Sequence, residues 1–248
     1  MEILLGFAIA VLIGLTGVGG GVVTAPLLTL FLGVPAVESV GTALIFTAVV
    51  KCIAAPIYIV RRQVNFRILG VLLLGGLPGV VTGSLLLSRL NTAGHQGPLL
   101  GVLGCTVVLM AAINLYRLLA PRGKEQRREH HGWLALLALP IGAEVGFSSA
   151  GAGALGSLAL MNFTSIPIGQ VVGTDLLFGL GLSLTGGSIS LKTGNYQGLL
   201  ALKLAIGGLI GAYVGARLLS WLPSRPLRIA LSLWLAAMGS QLCWRAIG

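Results

Sequence analysis

Acidic residues are the scarcest chemical class in this chain. Only 9% of its 248 residues are charged, with 6 Asp and Glu against 16 Lys and Arg. A soluble globular domain carries about 25% charged residues, so the composition excludes an ordinary soluble domain. Most basic residues stand in short connections between apolar runs, where they orient a membrane protein. We therefore do not expect the net charge of +10 to mark a nucleic-acid partner.

The groups needed for intramembrane proteolysis are also missing. Asp175 is the only aspartate, and a diaspartyl protease needs two. No HExxH motif is present for a zinc protease. The histidines at 95, 130 and 131 all precede Ser148, whereas a rhomboid-like serine protease would need a histidine on a later helix. We therefore expect no enzymatic activity.

Cysteine is rare too. Cys52, Cys105 and Cys243 lie in apolar segments and have no metal-ligand or disulfide spacing. They are predicted to be small buried residues, and neither a metal site nor a cofactor is expected.

Long apolar runs make up most of the chain, and 56% of all residues are hydrophobic. A membrane-spanning helix needs about 20 apolar residues. The pattern therefore predicts an all-α polytopic membrane protein, in a plasma membrane of the bacterial inner-membrane type. The runs occupy residues 3–33, 37–60, 67–88, 97–120, 133–161, 168–190, 197–221 and 226–246.

A basic linker at 121–132 divides these runs into two sets of four. Basic loops stay on the cytoplasmic side, so the linker is expected there. This division predicts an N-terminal repeat over 1–120 and a C-terminal repeat over 133–248.

The two halves resemble each other in sequence. An offset of 132 residues (146 − 14) aligns 14–90 with 146–222 without a gap, and 22 of the 77 positions are identical. Composition alone would give roughly a tenth. Glycines, Pro35 with Pro167, and the GT pairs at 41–42 and 173–174 account for many of the matches. The sequence therefore predicts an internal duplication, as in many transporters.

Each half opens with an apolar run that glycines interrupt. The interruptions are GLTGVGGGVVTAP at 14–26 and GFSSAGAGALGSL at 146–158. Split near residues 17–21, the first run gives two pieces too short to cross alone. They can form a re-entrant hairpin or one broken crossing helix. Hairpins imply inverted repeats and full crossings imply parallel ones. The positive-inside rule does not choose, and we favour inversion because it brings both turns face to face.

A helix that begins inside the membrane directs free N–H groups and a partial positive charge at its start, which suits an anion. Packing of small residues is the alternative explanation for these glycines. Thr24 is a further possible hydroxyl donor at the first turn. The candidate substrate-binding residues at the two turns are Thr16, Gly17, Gly19, Gly20, Gly21, Ser148, Ser149, Gly151, Ala152 and Gly153.

Charged residues inside the apolar runs are the other candidates. Lys51 lies near the centre of the second run, where a lysine is costly, and it is predicted to bind substrate. Asp175 and Glu144 are candidates for carrying a coupling proton, and a structural pair with Lys51 is the alternative. An N-cap role competes for Asp175. Thr42 and Thr174 complete the coupling or gating set.

With these residues in view, the chain resembles the sulfite exporter TauE/SafE family. The resemblance is carried by GVGGG and SSAGAGALG, VGT at 40–42, VGTDL at 172–176 and the position of Lys51. It departs from that pattern at Ala43, which aligns with Asp175, and at Leu158, which aligns with Pro26. The resemblance implies a multi-pass plasma-membrane transporter of small sulfur-containing or organic anions, often coupled to protons.

The sequence therefore predicts a secondary transporter of sulfite, thiosulfate or sulfonates, acting in export or coupled to protons. A passive anion channel and a transporter of another small organic anion are the alternatives. The expected partners are a small inorganic or organic anion and the lipid bilayer, and a homodimer stays open.

Overall fold

The computed structural model describes residues 2–16, 20–92, 96–119, 131–218 and 224–247. These residues form helices, with no strand in the described part, which confirms the all-α prediction. The helices are α1 (Glu2–Thr16), α2 (Gly20–Phe31), α3 (Ala36–Val60), α4 (Phe66–Thr92), α5 (Gln96–Leu119), α6 (His131–Ser148), α7 (Leu155–Phe163), α8 (Ile168–Thr193), α9 (Gly198–Leu218) and α10 (Ser224–Ile247).

Among the described residues, three helices contain a stretch long and apolar enough to cross a membrane, namely Ala36–Val60, Phe66–Leu90 and Gly169–Thr193. The first and fifth predicted runs are each divided between two helices. The pieces α2 and α7 have 12 and 9 residues and therefore rise only about 18 and 14 Å. Neither reaches across a hydrocarbon core of about 30 Å.

A proline stands just before one long helix of each half, α3 in the first and α8 in the second. Pro35 precedes α3 with φ −51° and ψ 142°, and Pro167 precedes α8 with φ −57° and ψ 147°. This extended conformation, together with the missing N–H of proline, suits the residue just before a helix. Because α8 begins at Ile168, Asp175 lies inside the helix, and the N-cap interpretation of Asp175 is wrong.

Helices α3 and α8 run antiparallel at the centre of the molecule. Early in α3, Gly41 packs against Ser190. Near the middle, Ile45 packs against Gly187, and farther along, Lys51 packs against Gly179. The residue numbers of the contacts increase along α3 while those of their partners on α8 decrease, as antiparallel helices require.

Helices α4 and α6 run parallel and touch backbone to backbone. A Cβ added at Gly75 would overlap the carbonyl oxygen of Ala135, and one at Gly79 would overlap that of Leu139. Such a glycine stripe allows two helix backbones to approach closely. Helix α1 packs against α9 in the same way, because a Cβ added at Gly207 would overlap the carbonyl oxygen of Ile3.

The chain reverses between α6 and α8. Leu73 lies against Gly181 and Val80 against Gly186, so α4 and α8 are parallel. Since α6 is also parallel to α4, α6 and α8 point in the same direction. The segment between them, which includes α7, must therefore return towards the side from which α6 started.

Contacts recur with the halves exchanged. Gly76 packs against Phe178, and Gly208 packs against Phe46. Gly208 is 132 positions after Gly76, and Phe178 is 132 positions after Phe46. The second contact therefore has the corresponding residues, with the two halves of the chain exchanged. Phe46 and Phe178 are fully buried and lie in the two separate hydrophobic clusters of the core. The two clusters are thus built around equivalent aromatic side chains.

The cysteines are less buried than predicted. Cys52 and Cys105 are exposed and Cys243 is partly exposed. They lie on faces of apolar helices that also expose large hydrophobic side chains such as Ile53, Val102 and Trp244. The prediction of buried cysteines failed because apolar surroundings in the sequence do not distinguish a core-facing residue from one on the outside of a membrane bundle.

Candidate functional site

The two glycine turns meet inside the molecule. A Cβ added at Gly21 would overlap the carbonyl oxygen of Ser149, and one at Gly20 would crowd the Thr47 side chain. Gly20 and Gly21 form the buried start of α2. The predicted residues Gly17 and Gly19, and the side chain of Thr16, lie outside the described residues. The described part of the first turn thus faces the second turn directly.

The second turn has the backbone that its glycines predict. Ser149, Gly151 and Gly153 have φ values of 62°, 93° and 103°. Two of these three residues are glycines, which adopt positive φ without steric cost, whereas Ser149 is held in a conformation that is uncommon for a side-chain-bearing residue. The turn ends at α7, whose first turn follows directly on the chain reversal.

Two buried hydroxyls beside the contact between the turns, one on the second turn and one on α3, have no partner among the described residues. Within the described part of the chain, neither Ser149 Oγ nor Thr47 Oγ1 has a hydrogen-bond partner. Ser149 Oγ lies against Gly21, and Thr47 Oγ1 lies against Gly20. An unsatisfied buried polar group costs about 1–3 kcal/mol, so a ligand or water that pairs with these hydroxyls would be stabilised.

Thr24 does not add a third free donor. Its hydroxyl donates to the Gly20 carbonyl oxygen at 2.7 Å, one turn back along α2. This is the usual pairing of a helical threonine with the preceding turn. The expectation that Thr24 is available for a ligand is wrong.

Lys51 brings a cation to the same place. Its side chain is 8% exposed, and its ammonium group packs against Gly179. Gly179 also lies next to the side chain of Ala152, so Lys51 approaches the second turn. Thr47 is one helical turn before Lys51 and therefore shares its face of α3.

Asp175 lies close to Lys51. Asp175 is 5% exposed and lies on α8 one helical turn before Gly179, the residue that packs against the Lys51 ammonium. Ser157 on α7 donates a hydrogen bond of 2.6 Å to Asp175 Oδ2. Gly156 leaves the room that Asp175 occupies, because a Cβ there would overlap Oδ1. The second turn thus holds the carboxylate through α7.

Glu144 is connected to the turn through Ser148. Ser148 Oγ lies 2.7 Å from Glu144 Oε1 and 3.1 Å from the Glu144 carbonyl oxygen, and it accepts a hydrogen bond from the Ala150 N–H at 3.1 Å. The side chain of Thr106 on α5 lies beside Glu144, while its hydroxyl donates to the Leu103 carbonyl oxygen at 2.9 Å. Ser148 is therefore engaged by protein groups, unlike Ser149.

Thr42 and Thr174 lie apart from this centre. Thr42 Oγ1 accepts a hydrogen bond from the Gln197 N–H at 3.0 Å, and Thr174 Oγ1 accepts one from the Asn65 N–H at 2.9 Å. Both threonines are near the starts of antiparallel helices, so the two contacts lie at opposite ends of the central pair. Thr42 and Thr174 thus join the halves at two separate points.

Four residues of this arrangement escaped the sequence analysis, namely Thr47, Ser157, Gly179 and Thr106. A signal existed for Thr47, which stands four residues before Lys51 on the same helical face. Gly179 is equivalent to Thr47 at the 132-residue offset. Ser157 and Thr106 reach the site only through contacts between helices. Nothing in the sequence around them indicates a role there.

An all-helical fold with long apolar spans, interrupted apolar helices and a buried lysine between them is typical of polytopic membrane transporters. The sequence profile of the family described as Sulfite exporter TauE/SafE matches residues 2–242. The chain belongs to this family and is a membrane transporter, as its resemblance predicted.

Curated relatives agree with this membership. The chain is 27% identical over 250 residues to the probable membrane transporter protein YjnA of Bacillus subtilis, covering 97% of this chain and 98% of the relative. It is 28% identical over 242 residues to the probable membrane transporter protein YdhB of the same organism, covering 96% and 97%. A probable membrane transporter protein of Haemophilus influenzae is 29% identical over 212 residues, covering 81% and 77%. No solved structure matches the chain.

Proposed function

We propose that this protein is a secondary transporter of a small sulfur-containing anion of the sulfite, thiosulfate or sulfonate class. The anion binds between the two glycine turns. The observation that carries this proposal is that the buried Lys51 ammonium packs against Gly179 beside Ala152 of the second turn. The hydroxyls of Ser149 and Thr47, which have no partner among the described residues, lie against the first turn.

The chemistry of this centre favours an anion over a cation. A lysine ammonium and serine and threonine hydroxyls are hydrogen-bond donors to oxyanions. The start of α2 at Gly20 adds the positive end of a helix dipole close to Thr47. A small oxyanion would receive hydrogen bonds from groups that otherwise stay unpaired.

Asp175 provides a means of coupling. Without substrate, its carboxylate compensates the charge of Lys51 in a low-dielectric environment. A bound anion competes with this carboxylate for the ammonium. Protonation of Asp175 removes the competition, so we propose that proton uptake accompanies anion binding. Glu144 is the second candidate carboxyl, because Ser148 connects it to the same turn.

The transport mechanism that we propose is alternating access between inverted repeats spanning 1–120 and 133–248. The antiparallel α3 and α8, and the contacts that recur at the 132-residue offset, support inversion. The common direction of α6 and α8 supports a re-entrant second hairpin. The Thr42 and Thr174 contacts would serve as gates on opposite sides.

We further propose a plasma-membrane location with 121–132 on the cytoplasmic side. Of this linker, only residues 131 and 132 are among the described residues. A homodimer is compatible with the large apolar side chains that this single chain exposes.

Flux in proteoliposomes tests the function. Uptake of sulfite, thiosulfate and a small sulfonate is measured with and without a pH gradient, for the wild type and for Lys51→Met. Lys192→Met is the matched control, because Lys192 is exposed at the end of α8. Saturable flux that responds to the pH gradient and is lost only in Lys51→Met supports the carrier. Fast flux that neither saturates nor couples would favour a passive anion channel, and selectivity for carboxylates would favour another organic anion.

A further inference from the structure

Two cysteines from opposite halves of the chain meet on the outside of the bundle. Cys105 Sγ on α5 and Cys243 Sγ on α10 lie 3.7 Å apart, although 138 residues separate them in sequence. Cys105 is exposed and Cys243 is partly exposed. Neither residue contributes to the central site described above, so the pair calls for its own explanation.

Close packing of α5 against α10 fixes this pair. The helices are antiparallel, since Gly101 faces Ala246, Gly104 faces Cys243, and Val108 faces Gly239. Gly104 and Gly239 permit the approach, because a Cβ on either residue would crowd the opposite backbone. An S–S bond is about 2.0 Å long, so the two sulfurs need to close a gap that side-chain rotation and small helix shifts can cover.

The surroundings give a small oxidant access to one of the two thiols. Cys105 lines an apolar surface groove of about 440 Å³ together with Gly101, Val102, Thr106 and Leu109. Cys243 Sγ lies 3.7 Å from the Gly101 carbonyl oxygen, to which its S–H can donate. Cys105 therefore meets a reagent in the groove first, and Cys243 stands behind it.

We propose that Cys105 and Cys243 form a reversible redox pair, which a hydroperoxide oxidises to a disulfide that ties α5 to α10. The Cys105 sulfur attacks one oxygen of hydrogen peroxide and the O–O bond breaks. Cys105 becomes a sulfenic acid, and the other oxygen leaves as one molecule of water. The Cys243 sulfur then attacks the sulfenic sulfur and releases a second water. Overall, two thiols lose two electrons and two protons, and hydrogen peroxide is reduced to two molecules of water.

The disulfide would join the N-terminal half to the C-terminal half outside the central site. A cross-link over so long a loop restricts the unfolded chain and stabilises the contact between the helices. Formation of the disulfide and the gain in stability can both be measured without any transported substrate. Failure of this proposal is therefore distinguishable from failure of the transport proposal.

Counting thiols in the full chain tests whether the bond forms. Membranes are treated with hydrogen peroxide, and the protein is then denatured and labelled with a maleimide-polyethylene glycol that shifts the gel band once per free thiol. The wild type should fall from three labels to one and regain three after dithiothreitol. Cys52→Ser should fall from two labels to none. Cys105→Ser, the matched control, should keep two. Cys243→Ser should fall to one, because its Cys105 stops at the sulfenic acid.

Three results would overturn the assignment. These are three labels after peroxide in the wild type, a loss that dithiothreitol does not reverse, and a cross-linked band at the mass of two chains. The last would show that the thiols bond between copies instead of within one chain.

Thermal unfolding then tests the stabilising effect. Peroxide treatment should raise the Tm of the wild type by about 5 °C or more, and dithiothreitol should reverse the rise. Cys105→Ala and Cys105→Ser should show no rise. An unchanged Tm in wild-type protein that has formed the disulfide would contradict the stabilisation.

Discussion

Thr42 Oγ1 accepts a hydrogen bond of 3.0 Å from the backbone N–H of Gln197, in the other half of the chain. The equivalent residue Thr174 accepts one of 2.9 Å from Asn65, which is equivalent to Gln197 at the same 132-residue offset. Such a contact, repeated with its partners exchanged, is what the proposed inverted repeats would produce. Because the two contacts lie at opposite ends of α3 and α8, they are candidates for the two gates.

The gate proposal predicts opposite effects for equivalent substitutions. Thr42→Val and Thr174→Val keep the side-chain shape and remove the acceptor for one backbone N–H each. Each change should favour opening on its own side of the membrane. Anion KM, measured in right-side-out and inside-out vesicles, should therefore shift in opposite senses for the two variants. Shifts in the same sense would contradict gating.

The contact between the glycine turns predicts a large penalty for Gly21→Ala. The added Cβ would overlap the backbone of Ser149, and overpacking of this kind costs about 1–3 kcal/mol or more. We expect the Tm in detergent to fall by several degrees. Gly70→Ala on α4 is the control, because no atom of another described element lies within 4 Å of its added Cβ. That variant should be neutral or slightly more stable.

The unpaired hydroxyls predict a separation between binding and stability. Ser149→Ala removes a buried hydroxyl that has no partner in the described part of the chain, so it should leave the Tm unchanged or higher. If this hydroxyl donates to the anion, KM should rise about 10-fold. Ser188→Ala is the control, since that exposed hydroxyl is paired with Leu184 on α8. An unchanged KM would remove Ser149 from the site.

The position of Asp175 beside Lys51 predicts an uncoupled transporter on neutralisation. Asp175→Asn should retain anion exchange, because the ammonium and the hydroxyls remain, and should lose accumulation driven by a pH gradient. Glu144→Gln is the comparison that assigns the carboxyl. Loss of pH-driven accumulation in Glu144→Gln alone would indicate that the coupling carboxyl is Glu144 on α6. Loss of exchange in Asp175→Asn would instead indicate that the carboxylate has a structural role.

The sequence analysis located the turns and the buried lysine because their chemistry is local. Consecutive glycines in an apolar run indicate an interrupted helix. A lysine 14 and 9 residues from the two ends of its run is costly unless it has a role. The interpretation of Asp175 as an N-cap failed for an equally local reason. Helix α8 begins at Ile168, about two turns earlier than an N-cap at Asp175 would place it.

Whether each hydroxyl is hydrogen-bonded within the protein could not be predicted from sequence. Thr24 and Ser149 are both small hydroxyl residues at a glycine turn. Thr24 is paired with its own helix, whereas Ser149 is held with positive φ and points its hydroxyl towards Gly21. Pairing depends on the path of the backbone at the turn, which no composition or spacing rule specifies.

The sequence by itself determined the class of this protein, because scarce charge, long apolar runs and a duplicated set of motifs are properties of the chain alone. It also determined where the helices are interrupted, because glycine and proline act on the local backbone. Only the tertiary structure decided which groups meet. Antiparallel packing of α3 and α8 brings Lys51 to Gly179 and the second turn, and packing of α5 against α10 joins Cys105 to Cys243. These pairs depend on helix direction and register, which arise from contacts between residues that are far apart in sequence.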